Sequence, residues 1–299
     1  MLNHKQCDAF LAVAETGSFD LAASRLCITA SAITLRVQSL EKNLGHMLIV
    51  RERPCRVTKA GQSLLHYLQH SRLLEHRLMQ DLTGLSATTF YQVNIATNAD
   101  SLATWLLPLL KPTLIEHKIV VHFQVDDQSK THHLMQVGLV NACISTESNA
   151  MKGCVAQLLG QMTYRMVATP KFIGKWFHQG FNREAFRCAP AIIYNNKDHL
   201  HRDIMLQQFG LTCESYPHYY IPSSHAFAEA IFLGLGFGLV PDYQIAERIH
   251  MGELVEILPE ARCNLHLYWH HWKQQSEILN TLSDVLFRQA GQVMNTFKY

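Results

Sequence analysis

Four short groups of polar residues have the types and spacing to hold a small charged molecule. Asn98-Ala99-Asp100-Ser101 follows a strand-like run and opens a helix-like one. A helix start of this kind aims unpaired backbone N–H groups outward, where a carboxylate can sit. Asp126 and Asp127 close the next strand-like run and could meet an ammonium or guanidinium. Ser145 and Thr146 end a further strand, and Ser223 and Ser224 open another helix, so position alone makes these four candidates. The plainer alternatives are an ordinary helix cap at Asn98 to Ser101 and a solvated acidic loop at the aspartates.

A second chemistry lies upstream. Between residues 25 and 59, Arg25, Arg36, Lys42, Arg51, Arg53, Arg56 and Lys59 face only Glu41 and Glu52, a local balance of +5 in a chain whose total is +2. The near-neutral sum therefore conceals a basic head on a mildly acidic body, as expected of a nucleic-acid footprint joined to a second function.

Other chemistries lack their residues. No G-x-S-x-G, no G-x-x-x-x-G-K-[ST] and no C-x-x-C occurs, so neither catalysis nor a cofactor is expected. The GLGFG run from Gly234 to Gly238 precedes an apolar strand and a proline, the wrong order for a nucleotide loop. His66 and His70 share a helix face, but the glutamate of H-E-x-x-H is missing and no cysteine stands at ligand spacing, so no metal is expected. All eight cysteines stand singly, which predicts a reduced, cytoplasmic protein. At 299 residues and 48% hydrophobic the chain can bury more than one core, and disorder is excluded. The longest apolar run, Ala230 to Pro241, is shorter than the roughly 18 residues that span a bilayer, and the amino terminus lacks a secretory signal, so no membrane partner is expected.

The elements that must position these groups follow from periodicity. Cys7, Phe10, Leu11 and Ala14 mark a first helix stopped by Gly17. A short second helix carries Ala22, Ala23 and Leu26, with Asp20 as its expected N-cap; Thr29 caps a third. There Ile33, Val37, Leu40 and Leu44 form one stripe, leaving Ser31, Thr34, Leu35, Gln38 and Lys42 on the outward side. Met47 to Val57 suits two short strands around a basic turn, a wing. From Thr58 to about Gly84, Ala60, Leu64, Tyr67, Ser71, Leu74, Leu78 and Leu85 form a stripe suited to pairing with a second copy, and GLSATT (84–89) reads as a linker. Beyond it the period falls to two, at Tyr91, Val93 and Ile95 and at Ile119 to Val125. Further strands are expected at Ala142 to Ser145, Arg165 to Thr169, Ala191 to Tyr194, Tyr216 to Ile221, Phe237 to Val240 and Leu265 to Trp269, with a last helix from Gln274 to about Thr296. That alternation is α/β.

Short helix, turn, outward-faced helix, basic wing and pairing helix together make a winged helix-turn-helix. At this point the sequence resembles the LysR-type transcriptional regulators through GSFDLAASRLCITASAITLRVQSLEKNLGHMLIVRERPCRVTKAGQ (17–62). NADSLATWLLP (98–108) and LYWH (267–270) resemble its lysine- or arginine-responsive branch, the ArgP group, which controls basic amino-acid export.

The resemblance implies a winged helix over residues 1–58, a dimerising helix and linker over 59–88, and an effector domain over 89–299 like the type 2 periplasmic binding proteins. Its two α/β lobes would comprise about 89–164 with 266–299, and about 165–265. It further implies double-stranded DNA, a small-molecule effector (lysine or arginine), a second copy in a dimer or tetramer, and RNA polymerase as partners. The DNA-facing residues would be Ala30, Ser31, Thr34, Leu35, Arg36 and Gln38 on the third helix and Arg51 and Arg53 on the wing, with Leu64, Tyr67, Leu74 and Leu78 at the dimer seam. Two positions depart from the family pattern: Ala30 stands where relatives usually have Gln, and Leu35 where they usually have a polar or basic residue. A leucine there could touch a thymine methyl. The rival expectations are a regulator of another metabolite, a ligand-independent nucleoid-type DNA binder, and a small-molecule-binding protein or enzyme whose first helices only dimerise.

Overall fold

The computed structural model describes residues 2–65, 67–68, 71, 90–126, 131–136, 139–273 and 275–295. Leu74, Leu78, His66, His70, Asp127 and the 84–89 segment lie outside the described residues.

Three helices open the chain. α1 (His4–Thr16) ends at Gly17, as its sequence predicts. α2 (Phe19–Arg25) is capped by Ser18, whose hydroxyl accepts from the Leu21 N–H at 3.4 Å. Asp20, the expected cap, instead sits in the first turn, where its charge faces the positive helix end. α3 (Ala30–Leu44) starts at Thr29, which accepts from the Ala32 N–H at 3.2 Å. Phe10, Leu11, Ala22, Ile33, Val37 and Leu40 bury one shared core. Leu44, expected on the same stripe, ends the helix beyond that core and is 38% exposed. The wing follows: β1 (Ile49–Val50) pairs antiparallel with β2 (Arg56–Val57), Ile49 opposite Val57. Thr58 then starts α4, helical from residue 59, by accepting from the Gly61 N–H at 3.0 Å.

From residue 91 the fold is α/β. β3 (Tyr91–Thr97) lies between β4 (Ile119–Val125) and β5 (Ala142–Ser145), both parallel to it. α5 (Ala99–Ser101), a π-helical turn (Leu102–Leu106) and α6 (Leu107–Glu116) link β3 to β4, and α7 (Thr131–Gln136) precedes β5. Next comes β6 (Cys154–Ala168), then α8 (Pro170–Trp176), α9 (Arg183–Cys188), β7 (Ala191–Ile193), α10 (His199–Phe209), β8 (His218–Tyr220), α11 (Ser224–Phe232), β9 (Gly238–Pro241), α12 (Asp242–His250), β10 (Val255–Glu256), β11 (Cys263–Trp272) and α13 (Glu277–Asn295). The larger sheet runs β10-β6-β11-β5-β3-β4, with β9 also on β6, while β7 and β8 pair in parallel beside β9.

The main departure from expectation is β6. The sequence predicts a strand only over Arg165 to Thr169, yet β6 runs 15 residues and serves both halves of the fold. Its first part pairs with β11 and its last part with β9 and β10. The expected lobe boundaries at 164/165 and 265/266 thus fall inside continuous strands. Alternation is broken where the register shifts: Leu267 faces Gly160 and Tyr268 faces Leu158, leaving Leu159 as a bulge residue. Gly160 lets α13 pack closely there: a Cβ would come within 2.6 Å of Met294 Sδ, so that side chain would have to move. β10, two residues long, was also not expected. The GLGFG run leads into β9 and packs instead of binding: a Cβ at Gly236 would lie 2.7 Å from the Pro190 carbonyl oxygen.

Candidate functional site: an acidic cleft and a helix-turn-helix face

A cavity of about 400 Å³ opens where β6 and β11 cross between the halves. The first half contributes the start of α5 (Asn98, Ala99, Asp100), the end of β4 (Val125, Asp126) and Thr146 after β5. The second half contributes Tyr194, Asn195, Lys197, Asp198 and His199 around the start of α10, Phe227 of α11 and Gln244 of α12. Tyr164 and Leu265 of the crossing strands line it from behind.

Asp100 is the centre of its hydrogen bonding. The Tyr164 hydroxyl donates to Asp100 Oδ2 at 2.7 Å, and the Ser224 hydroxyl donates to Oδ1 at 2.6 Å. Ser224 in turn accepts from Gln244 Nε2 at 2.9 Å. Burial pushes the Asp100 carboxyl above its ordinary range, an effect the two hydroxyl donors oppose. Burial likewise raises the phenols of Tyr164 and Tyr194, and the Asp100 charge adds to both shifts. Asp198 is committed to structure: its Oδ1 accepts from the His201 N–H at 3.3 Å, capping α10, and its Oδ2 from the Tyr194 N–H at 3.3 Å. Among the described residues, no group of three or more His, Cys, Asp or Glu could hold a metal ion.

Of the residues singled out in the sequence, Asn98, Asp100, Asp126 and Thr146 are brought together on the cavity wall. Ser224 stands behind the wall, touching Asp100. Ser101, Ser145 and Ser223 are not on it. Ser101 is fully buried one turn into the helix. Ser145, the buried last residue of β5, accepts from the Glu147 N–H at 3.1 Å through its Oγ. Ser223 is the exposed residue just outside α11. Asp100 does not fold back to cap its own helix but reaches toward the other half of the fold. Sequence reasoning missed Tyr164, Tyr194, Asn195, Lys197, Asp198 and Gln244. The polar run NNKDH ahead of α10 carried a signal for three of them, since Asp198 is an ordinary N-cap type at a helix start.

The second site is the outer face of α3 with the wing. Ser31, Leu35 and Gln38 are exposed, Leu35 by 67%, while Ala30, Thr34 and Arg36 are half-buried. The Thr34 hydroxyl donates to the Ala30 carbonyl at 2.9 Å, and the Thr29 and Ser31 hydroxyls pair at 3.0 Å. On the wing, Arg51 and Arg53 are exposed, and the Arg51 guanidinium stacks 5.2 Å from the Phe19 ring centroid. Arg56 pairs with Glu52, its Nε 3.0 Å from the carboxylate. Glu41 of α3 ties helix to wing by accepting from the Leu48 and Ile49 N–H groups at 2.8 and 3.2 Å. Of the seam candidates, Tyr67 is exposed and Leu64 is partly buried against the helical core. No helix among the described residues is long and apolar enough to cross a membrane.

Two family models match the chain, one over each part. Residues 4–62 match the family described as bacterial regulatory helix-turn-helix protein, lysR family, and residues 89–291 match the LysR substrate binding domain. The chain is 37% identical over 293 residues to the HTH-type transcriptional regulator ArgP of Photobacterium profundum, covering 98% of each chain. Among solved structures it is similar to ArgP of Mycobacterium tuberculosis, with TM-score 0.80 and 32% identity, covering 97% of this chain and 98% of that one. It is also similar to full-length LysG of Corynebacterium glutamicum with bound effector Arg, with TM-score 0.77 and 29% identity over 97% and 98% of the two chains. These relatives are regulators and not enzymes. The chain belongs to the LysR family of bacterial transcriptional regulators.

Proposed function

We propose that this regulator answers to a basic amino acid, arginine or lysine, held in the cleft, and alters the expression of genes for basic amino-acid export or metabolism. The observation that carries this reading is the charge of the cavity wall: Asp100, Asp126 and Asp198 against Lys197, with His199 beside it. A ligand with two cationic groups and one carboxylate complements that set, its cationic groups toward the aspartates and its carboxylate toward Lys197. LysG, 29% identical, carries arginine as its bound effector.

In the same reading, residues 1–58 bind DNA through Ser31, Thr34, Leu35, Arg36, Gln38, Arg51 and Arg53, with Ala30 close to the backbone. Residues 59–88 pair two chains through Leu64, Tyr67, Leu74 and Leu78, and two such dimers form a tetramer. Residues 89–299 hold the effector, RNA polymerase is contacted at the promoter, and the protein works in the cytoplasm. Two winged helices held at fixed spacing are what half-site recognition requires. An effector regulates only if it favours one arrangement of the protein over another, and a coupling of about 1–3 kcal/mol changes DNA affinity roughly 5- to 150-fold.

The test is selection of duplexes from a random library by the full chain, followed by titration of the selected DNA with and without arginine or lysine. The reading expects a specific site whose affinity shifts by a factor within that range. Selection of no consensus, or an affinity indifferent to both amino acids, contradicts it.

A further inference from the structure

We infer that Ser224 is the positioning residue through which the second half of the effector domain reads occupancy at Asp100, so that effector binding and closure of the cleft are coupled by one hydroxyl. This rests on the reading of the cleft as a basic amino-acid site and adds the link between binding and response.

Asp100 belongs to α5 of the first half, whereas Ser224 and Gln244 belong to α11 and α12 of the second. The chain of hydrogen bonds runs from Gln244 Nε2 to Ser224 Oγ at 2.9 Å, and from Ser224 to Asp100 Oδ1 at 2.6 Å. Asp100 and Gln244 are on the cavity wall, but Ser224 is not, and it is only 6% exposed. A ligand therefore touches both ends of this relay and not its middle.

Two physical facts make the relay responsive. The bond from Ser224 to Asp100 exists only while the halves are close, since lengthening it by about 1 Å takes it beyond hydrogen-bond range. Its strength also depends on the state of the acceptor, because a hydrogen bond to an ionised carboxylate is roughly twice as strong as one to a neutral group. Burial disfavours the ionised form of Asp100, and an effector cation beside it favours that form. Occupancy thus strengthens a bond made between the halves, which supplies the differential affinity for two arrangements that regulation needs. Tyr164 donates to the other oxygen from the crossing strand, so it steadies the carboxylate without depending on closure in the same way.

The test uses the full chain as wild type, Ser224→Ala, Ser224→Cys and Ser224→Thr. Arginine, and lysine in parallel, are titrated by calorimetry, and amide hydrogen exchange is followed by mass spectrometry. In the wild type, the amino acid slows exchange in residues 99–106 and also in 224–232 and 242–250. In Ser224→Ala, affinity falls by roughly tenfold or less. Protection remains in 99–106 and is lost in the two second-half segments. Ser224→Cys, similar in size but a weak donor, behaves like Ser224→Ala and covers the case in which that variant does not fold. Ser224→Thr keeps the hydroxyl and restores protection in both halves. Wild-type protection of 224–232 in Ser224→Ala or in Ser224→Cys overturns the relay while leaving the effector reading in place. Absence of saturable binding of either amino acid to the wild type instead overturns the effector reading, and the relay falls with it.

Discussion

The Tyr164 hydroxyl meets Asp100 Oδ2 at 2.7 Å at the point where β6 passes from one half of the effector domain to the other. A carboxylate is thereby fixed on a continuous strand, and its burial raises its pKa. A raised carboxyl pKa means that the ionised group opposes folding above that pKa, and that this cost disappears as pH falls through it. Asp100→Asn removes the cost, so its melting temperature at neutral pH is expected to equal or exceed that of the wild type. The wild type should gain on the variant as the solution is acidified. Arginine affinity should nevertheless fall at least tenfold, with calorimetry and thermal melts as the paired measurements. A less stable variant that still binds arginine normally would contradict the role given to Asp100.

His201 on α10 gives the opposite pH dependence. Its ring is buried between Tyr216 and Phe237, with centroids 6.0 and 5.7 Å away, and burial lowers its pKa from the ordinary 6.5 to about 4. The unfolded chain therefore takes up a proton that the folded one resists, and stability is lost as pH falls from about 6.5 to about 4. That shift corresponds to about 3 kcal/mol. Urea unfolding across this range should show the slope in the wild type and a shallower one in His201→Phe.

Glu41 satisfies two wing N–H groups with one carboxylate oxygen. Glu41→Ala leaves both without that partner, which costs about 1–3 kcal/mol, and it loosens the basic turn. Unfolding of the amino-terminal helices should move to lower denaturant, and DNA affinity should fall although no DNA-facing side chain has changed. Unaltered stability would show that water replaces the carboxylate at no cost.

Arg53 is exposed on the wing. If it neutralises a phosphate, Arg53→Ala should weaken binding about equally for all duplexes and reduce the salt slope by about one. Leu35→Ala should instead act selectively, weakening sites that place a thymine beneath it. Fluorescence anisotropy at several salt concentrations, on duplexes with and without thymine at the varied position, separates the two behaviours.

The helix-turn-helix was legible because its signals are local. Gly17, Thr29 and Gly45 mark helix ends at their observed places, and the Ile33, Val37 and Leu40 stripe is buried as its period requires. Ser18 took the cap expected of Asp20 because both residue types cap well and the choice depends on where the first turn begins. The effector domain was legible strand by strand, except where a tertiary demand overrode pattern. At β6 the bulge at Leu159 and Gly160, packed against Met294, interrupt the period of two, so Tyr164 went unnoticed as a cleft residue. Asp100 was found from its helix start, but its partner Ser224, and Gln244 which donates to Ser224, are 124 and 144 positions away in the chain, and no local rule pairs them. Ser145 and Thr146 show the limit of position alone, since the strand ends at Ser145 and only Thr146, just beyond it, reaches the cavity.

The central claim is that the cleft selects a cationic amino acid, and the most direct test is calorimetric titration of the full-length protein with L-arginine, L-lysine and L-citrulline. Citrulline matches arginine in shape and lacks its side-chain charge. Saturable binding of arginine or lysine, at least tenfold tighter than that of citrulline, is the predicted result. Equal affinity for citrulline, or no binding of either basic amino acid beside clear binding of an anionic metabolite, would contradict the claim.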